Sequence, residues 1–455
     1  ASWHSIAGNL PQVYAHVAYR DPRNPHMYYA GLENGLYVSW DDGAHWYLFG
    51  LGLPNAPVYD LAYQAKENDL VVATHGRGVW ILDDLTPFQQ SSAMQQGNFH
   101  LFPVPSAFRF WPWSQTEGLG DGAFYGKNPP YGAQISYFLS RKVNEPGQLV
   151  ITDSHGHVVR TMKGTHTLEP GEKPPDEEEA AGSERSMEKA QPQQTEALPE
   201  HPAPSTQTQQ QVTPAKAEAE PGGPKEVPWV PTEPGLQRMY WDLRADGPVR
   251  WESAKGRLKG PQSGALLPPG EYTATMIVGG VTAKEQFKVV NDPASKATQA
   301  DLEANYQFTQ GILHQVSQLD TALNRLDAMT AQVNALETVA RNGREEAAVK
   351  AAIANFKQQI KQVKGQITSN PQAGESILRM PGKIREHLFS LSGSLRGSDD
   401  PPTAAMLEQR QMLEPEYTTA IQAFNQFEHS EVPAFNSKME QLKMTGVVAG
   451  AALEP

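Results

Sequence analysis

No cysteine occurs anywhere in the chain. That single absence excludes disulfides, thiol nucleophiles and thiolate metal ligands together. Long apolar runs are missing too: no stretch reaches the roughly 18 residues a membrane-spanning helix needs. Positive charge is in deficit, with a formal net charge of −13. Such a surface repels phosphate backbones and anionic bilayers, so neither nucleic acid nor membrane insertion is expected. Ser-His-Asp order, a P-loop, a Gly-rich dinucleotide fingerprint and His-Glu-x-x-His are all absent, and no cofactor is expected. Between 169 and 235 large apolar side chains almost vanish in favour of Pro, Glu, Gln, Ala and Thr. A segment of that composition cannot bury enough surface to offset its ordering entropy, so it is expected to be disordered.

What the chain does contain begins with a repeat. Under a shift of 43 positions Leu10 falls on Leu53, Pro11 on Pro54, Gly35 on Gly78, and Leu36-Tyr37-Val38 on Val79-Trp80-Ile81. A period of about 40–50 residues fits one four-stranded unit of a radial β array. Val13 to Tyr19 and Val58 to Tyr63 read as first strands, Met27 to Ala30 and Leu70 to Ala73 as second, Gly35 to Ser39 and Gly78 to Leu82 as third. Within the first unit lies Ser39-Trp40-Asp41-Asp42-Gly43-Ala44-His45-Trp46, between two β-prone runs. Gly43 tolerates positive φ, Asp41 can accept backbone N–H groups across the turn, and Trp46 offers a large flat packing surface.

These residues, as Ser-x-Asp-x-Gly-x-x-Trp, resemble an Asp-box or BNR repeat of sialidase-like and sortilin-like β-propellers. Ala73 to Leu85 resembles the closing repeat of large bacterial proteins of that kind, with a degenerate box. The resemblance implies that Ser39, Asp41, Gly43 and Trp46 are structural and lie on an outer hairpin, away from the channel. It also implies an exported protein, periplasmic or extracellular, and places Trp3 at the end of an earlier box, with further propeller blades upstream. Two repeats do not close a propeller.

Function is less legible. His75 and Arg77 sit on a Gly-rich turn where they can bind an anionic or polyhydroxylated ligand, or bond to backbone. Glycoside hydrolysis needs two facing carboxylates. Of Glu33, Asp60, Asp83 and Asp84, only Asp60 lies on an expected innermost strand, and no partner follows from spacing. Two readings stand: a non-catalytic binder of polypeptide or glycan, and a glycoside hydrolase whose catalytic groups lie mainly in upstream blades. His155 and His157 form His-x-His, which a strand would place on one face; with no third ligand expected beside them, no metal is predicted.

The expected fold is multidomain β plus α. Residues 1–88 form two propeller repeats, and 89–98 a linker. Residues 99–168 and 236–291 form an Ig-like or fibronectin-III-like β-sandwich, interrupted by 169–235 as a disordered insertion. The Phe108 to Trp113 aromatic run reads as an edge strand packed on a neighbour. From 296 to 445 the apolar period becomes about 3.5. Val349, Ile353, Phe356, Ile360, Val363 and Ile367 step 4-3-4-3-4, which predicts a helical bundle of antiparallel members. Residues 446–455 read as a frayed tail.

Overall fold

A computed structural model describes residues 4–50, 52–95, 97–111, 130–168, 225–254, 263–340, 346–369, 382–449 and 453. Trp3, Trp113, Pro371, Pro381 and the 169–224 part of the acidic, proline-rich stretch lie outside them. The described chain is mixed β plus α, and no described helix is long and apolar enough to cross a membrane.

Two antiparallel sheets come first. Strands β1 (Ala15–Arg20), β2 (Tyr28–Leu32), β3 (Gly35–Ser39) and β4 (Tyr47–Leu48) pair in sequence order. Strands β5 (Val58–Gln64), β6 (Asp69–Thr74) and β7 (Val79–Leu82) repeat the pattern without a fourth member. The 43-residue shift carries the first residue of β1, Ala15, onto the first of β5, Val58. Period-2 alternation drives Tyr29, Leu36, Val38, Val58, Leu61 and Val72 into one shared core. The two sheets meet closely because Gly31 has no side chain: a Cβ there would stand 2.5 Å from the Val58 carbonyl oxygen.

The segment after β7 is not the free linker its composition predicts. Thr86–Gln89 makes a helical turn and Ser91–Gln95 a 3-10 turn. Trp40 donates to the Phe88 carbonyl at 2.9 Å, while Gln89 bonds both Asp21, just past β1, and Asn68, just before β6. Long-range hydrogen bonding outweighs the local Gln/Ser bias.

Next come β8 (Phe99–Leu101), β9 (Ala107–Arg109), β10 (Ala133–Leu139), β11 (Gln148–Asp153), β12 (Val158–Lys163), β13 (Thr165–Leu168), β14 (Lys225–Pro228), β15 (Gly235–Trp241), β16 (Gly270–Val278) and β17 (Val281–Asn291). One sheet has the order β15-β10-β8 and the other β12-β11-β16-β17-β9, with β9 parallel to β17 at the edge. Ile135, Tyr137 and Leu139 from the first sheet share a core with Leu149, Ile151 and Met276 from the second, around a fully buried Trp241. Order resumes earlier than the composition predicts: β14 pairs with β13, and Val230 is buried in this core. The 225–235 part of the expected disordered insertion therefore belongs to the fold.

Among the described residues five helices follow: α1 (Gln299–Val339), α2 (Glu346–Ile367), α3 (Ile384–Ser392), α4 (Ala404–Gln426) and α5 (Val432–Gln441). Thr298 and Asp301 reciprocally cap α1, each accepting the other's backbone N–H. The 4-3-4-3-4 stripe of α2 is buried at every step, with Phe356 stacked on Phe435 of α5. A π stretch, Phe427–Glu431, carries α4 straight into α5, so Pro433 occupies the first turn of a helix and does not separate two. The tail is anchored where fraying is predicted: Val447 is buried, its N–H and carbonyl bonded by the Asn436 side chain, and the Leu453 N–H bonds Asn425.

A clamp joins helices to sheets. Arg109, 2 % exposed, donates to the Asp399 carboxylate, which also accepts from Trp111 and Ser295. The loop 249–252 lies along α1, where Trp251 and Glu252 donate backbone N–H groups to Asp320 and Asn324.

Candidate functional site

The turn between β3 and β4 is a closed polar latch. Ser39 donates to Asp41 at 2.9 Å and accepts the Gly43 N–H at 2.9 Å; Asp41 accepts the His45 N–H at 2.8 Å. The His45 backbone and ring bonds hold the Asp41 carboxyl down to about 2, against slight desolvation. Gly43 sits at φ +85°, and a Cβ there would strike the Ile6 carbonyl at 2.6 Å. Trp46 is buried and donates to that same carbonyl at 2.8 Å. Ser39, Asp41 and Trp46 thus bond within the turn and to the segment that precedes β1.

The first strands of the two sheets behave differently. His16 on β1 and Tyr59 on β5 occupy equivalent repeat positions, and their rings stand 4.3 Å apart. The His75 ring follows at 5.0 Å from Tyr59. His16 also pairs with Glu33 at 2.9 Å. The result is an imidazole–phenol–imidazole strip with Tyr59 at its centre, 46 % exposed. Exposed Arg77 lies two residues past His75, in the β6–β7 turn, and its carbonyl accepts the Trp80 ring N–H at 2.9 Å. Of the residues singled out in the sequence, His75 joins the strip, Arg77 flanks it, and Asp60 is next to Tyr59 on β5. The Asp60 carboxylate accepts its own strand's Leu61 N–H at 2.9 Å, at a register shift between Val58 and Asp60. His16 escaped the sequence reading, although the repeat alignment that pairs it with Tyr59 carried the signal.

Asp83 and Asp84 leave the strip altogether. They lie where the β5–β7 sheet meets the second β unit: Arg238 of β15 donates to both of their carbonyls, and Gln134 of β10 donates to the Asp84 carboxylate. Asp69 accepts the Asp84 N–H at 3.0 Å. Desolvation, then mutual repulsion, pushes the Asp83 carboxyl up, with Arg238 offsetting part of it; Asp69 is raised chiefly by desolvation. A raised carboxyl contributes stability below its ordinary range and loses it as pH climbs through the raised value. Asp83→Asn is therefore expected to raise the melting temperature at pH 7 by about 1–2 °C after solvent screening. At pH 3, where both forms are neutral, calorimetry should find no gain.

One more cluster appears where the sequence predicts no metal. His155 and His157 lie in the turn between β11 and β12, before the strand begins at Val158, so strand alternation does not place them. Asp153, the last residue of β11, supplies the third donor. Its carboxylate accepts the His155 and His157 N–H groups, both at 2.9 Å, and faces the His157 ring nitrogen at 3.2 Å. Burial opposes ionisation of Asp153, but those bonds outweigh it and hold the carboxyl low. Asp153 and His157 also line a cleft of about 560 Å³ between this turn, α1 and α4.

No family model matches the chain, and no curated protein or solved structure is significantly similar to it.

Proposed function

We propose that this chain belongs to an exported Asp-box, propeller-type protein that binds a polypeptide or glycan at the strip His16–Tyr59–His75, without catalysis. The observation that carries the reading is the strip itself. Flat aromatic faces in solvent stack on sugar rings or peptide side chains at low entropic cost. A carboxylate (Glu33) and a guanidinium (Arg77) beside them supply polar anchors. An Ig-like β-sandwich and the helical bundle would hold this surface outward from whatever the protein docks on. The hydrolase reading has less support: Asp60 is occupied with its own backbone, and Asp83 and Asp84 serve a structural joint.

A glycan array and a peptide-display screen, followed by a polysaccharide-hydrolysis assay, test the reading. The wild-type chain should capture a ligand and release no sugar. Tyr59→Ala should weaken capture about tenfold, on the order of 1.4 kcal/mol, while Asp60→Ala leaves it within about twofold. Sugar release that disappears in Asp60→Ala would overturn the proposal.

A further inference from the structure

We propose that the β11–β12 turn is a binding site for a first-row transition-metal ion of borderline softness, such as Zn²⁺, held by Asp153, His155 and His157. The three donors are nitrogen and oxygen groups of the type this ion takes, and their ligand atoms lie within 4.8 Å of one another. The separation of the His157 Nδ1 and Asp153 Oδ2 atoms, 3.2 Å, is close to the edge of a tetrahedral site. Bonds of about 2.0–2.2 Å to one central ion would put two such atoms roughly 3.4 Å apart. The ion would take the place of their present contact, and the separation of the two atoms hardly needs to change. His155 closes the remaining gap by side-chain rotation, which its exposed position permits.

The turn is built to hold that geometry. Two backbone N–H groups occupy Asp153 Oδ1 and leave Oδ2 directed at the ring, as an outer shell orients a metal ligand. The Asp153 N–H donates to the His157 carbonyl at 3.0 Å and the Gly156 N–H to the Asp153 carbonyl at 3.0 Å, which fixes the loop between the ligands. The latch at Asp41 and His45 is an internal comparison. It has the same carboxylate, the same four-residue spacing and the same ring contact, but Gly43 stands at the position of His155, and it forms no three-donor group among the described residues.

Three protein ligands leave coordination open, and the cleft supplies what could fill it. Opposite Asp153 and His157 its walls carry Tyr306, His314, Gln315 and Glu414. A water or ligand completing the coordination would sit in this cleft.

Equilibrium dialysis of the full chain against Zn²⁺, read by metal analysis, tests the assignment. Wild type should take up one equivalent, and His155→Asn and His157→Asn should each weaken uptake about tenfold or more, while His45→Asn leaves it unchanged. The ion should also raise the melting temperature of wild type but of neither turn variant. No uptake by wild type would overturn the proposal. So would equal uptake by all three variants, or an equal loss in His45→Asn, since either marks unspecific binding to surface histidines. His155→Asn keeps the test decisive should His157→Asn disturb the turn, because among the described residues the His155 ring stacks on His157 and hydrogen-bonds Ser154 alone, at 3.5 Å.

Discussion

Arg385→Met is expected to destabilise the helical unit by about 3–5 kcal/mol, because it strands a buried charge. Arg385 of α3 and Asp320 of α1 are each 1 % exposed and joined through two guanidinium–carboxylate contacts, the Nη2–Oδ2 one at 3.0 Å. Trp251 lies beneath the guanidinium and donates its backbone N–H to Asp320 at 3.1 Å. Desolvation pushes the Asp320 carboxyl up even with the arginine in place, hydrogen bonding to Arg385 pulling the other way. Without the arginine, the carboxylate must either stay charged in an apolar core or take a proton. Adding Asp320→Asn to Arg385→Met should therefore recover most of the loss, since a neutral amide still accepts from Trp251. Urea unfolding followed by helical circular dichroism gives the cycle. A double variant as unstable as the single one would mean that packing of the guanidinium, and not its charge, holds α3 to α1. The contact matters beyond the bundle, because the Trp251 loop is one of the places where the β unit grips the helices.

The elements that local patterning could reach were legible. The apolar pattern at Val58 to Tyr63 places β5 (Val58–Gln64) to within a residue, and the 43-residue shift sets the first strands of both repeats. The α2 stripe, stepping by three and four, is buried throughout. What escaped depends on partners distant in sequence. Thr86 to Gln95 has a linker's composition, yet Gln89 finds Asp21 across 68 positions. Val447 looks like part of a frayed tail until Asn436 captures its backbone. The same holds for function. Asp83 and Asp84 read as candidate acids off the innermost strands, and Arg238, 155 positions from Asp83, bonds their carbonyls at a joint. His155 and His157 were visible as a pair; the turn at Asp153, and not strand alternation, makes them a three-donor group. His16 has no local distinction, and only the repeat alignment places it on Tyr59.

The larger effect in the first β unit is expected from Trp46→Ala, at about 3–5 kcal/mol. Trp46 is 4 % exposed and packs with Ala30 and Leu32, so truncation leaves a cavity the strands cannot easily fill. Its ring N–H is shared between the Ile6 carbonyl at 2.8 Å and the Gly43 carbonyl at 3.1 Å, and Asn9 brackets its backbone with two further bonds. The segment preceding β1 is therefore anchored at Ile6 and Asn9 by this residue. Trp46→Phe separates the two contributions, since it keeps most of the apolar volume and removes only the donor. It should cost about 1–2 kcal/mol, the penalty for a carbonyl left without its partner. Both variants should open the chain near Ile6 to Asn9 before the sheets melt, which limited proteolysis with mass analysis of the fragments will locate. Equal losses for Ala and Phe would assign the whole effect to the hydrogen bond. Cleavage confined to the helical unit would show instead that the latch does not control the entry of the chain into its first sheet.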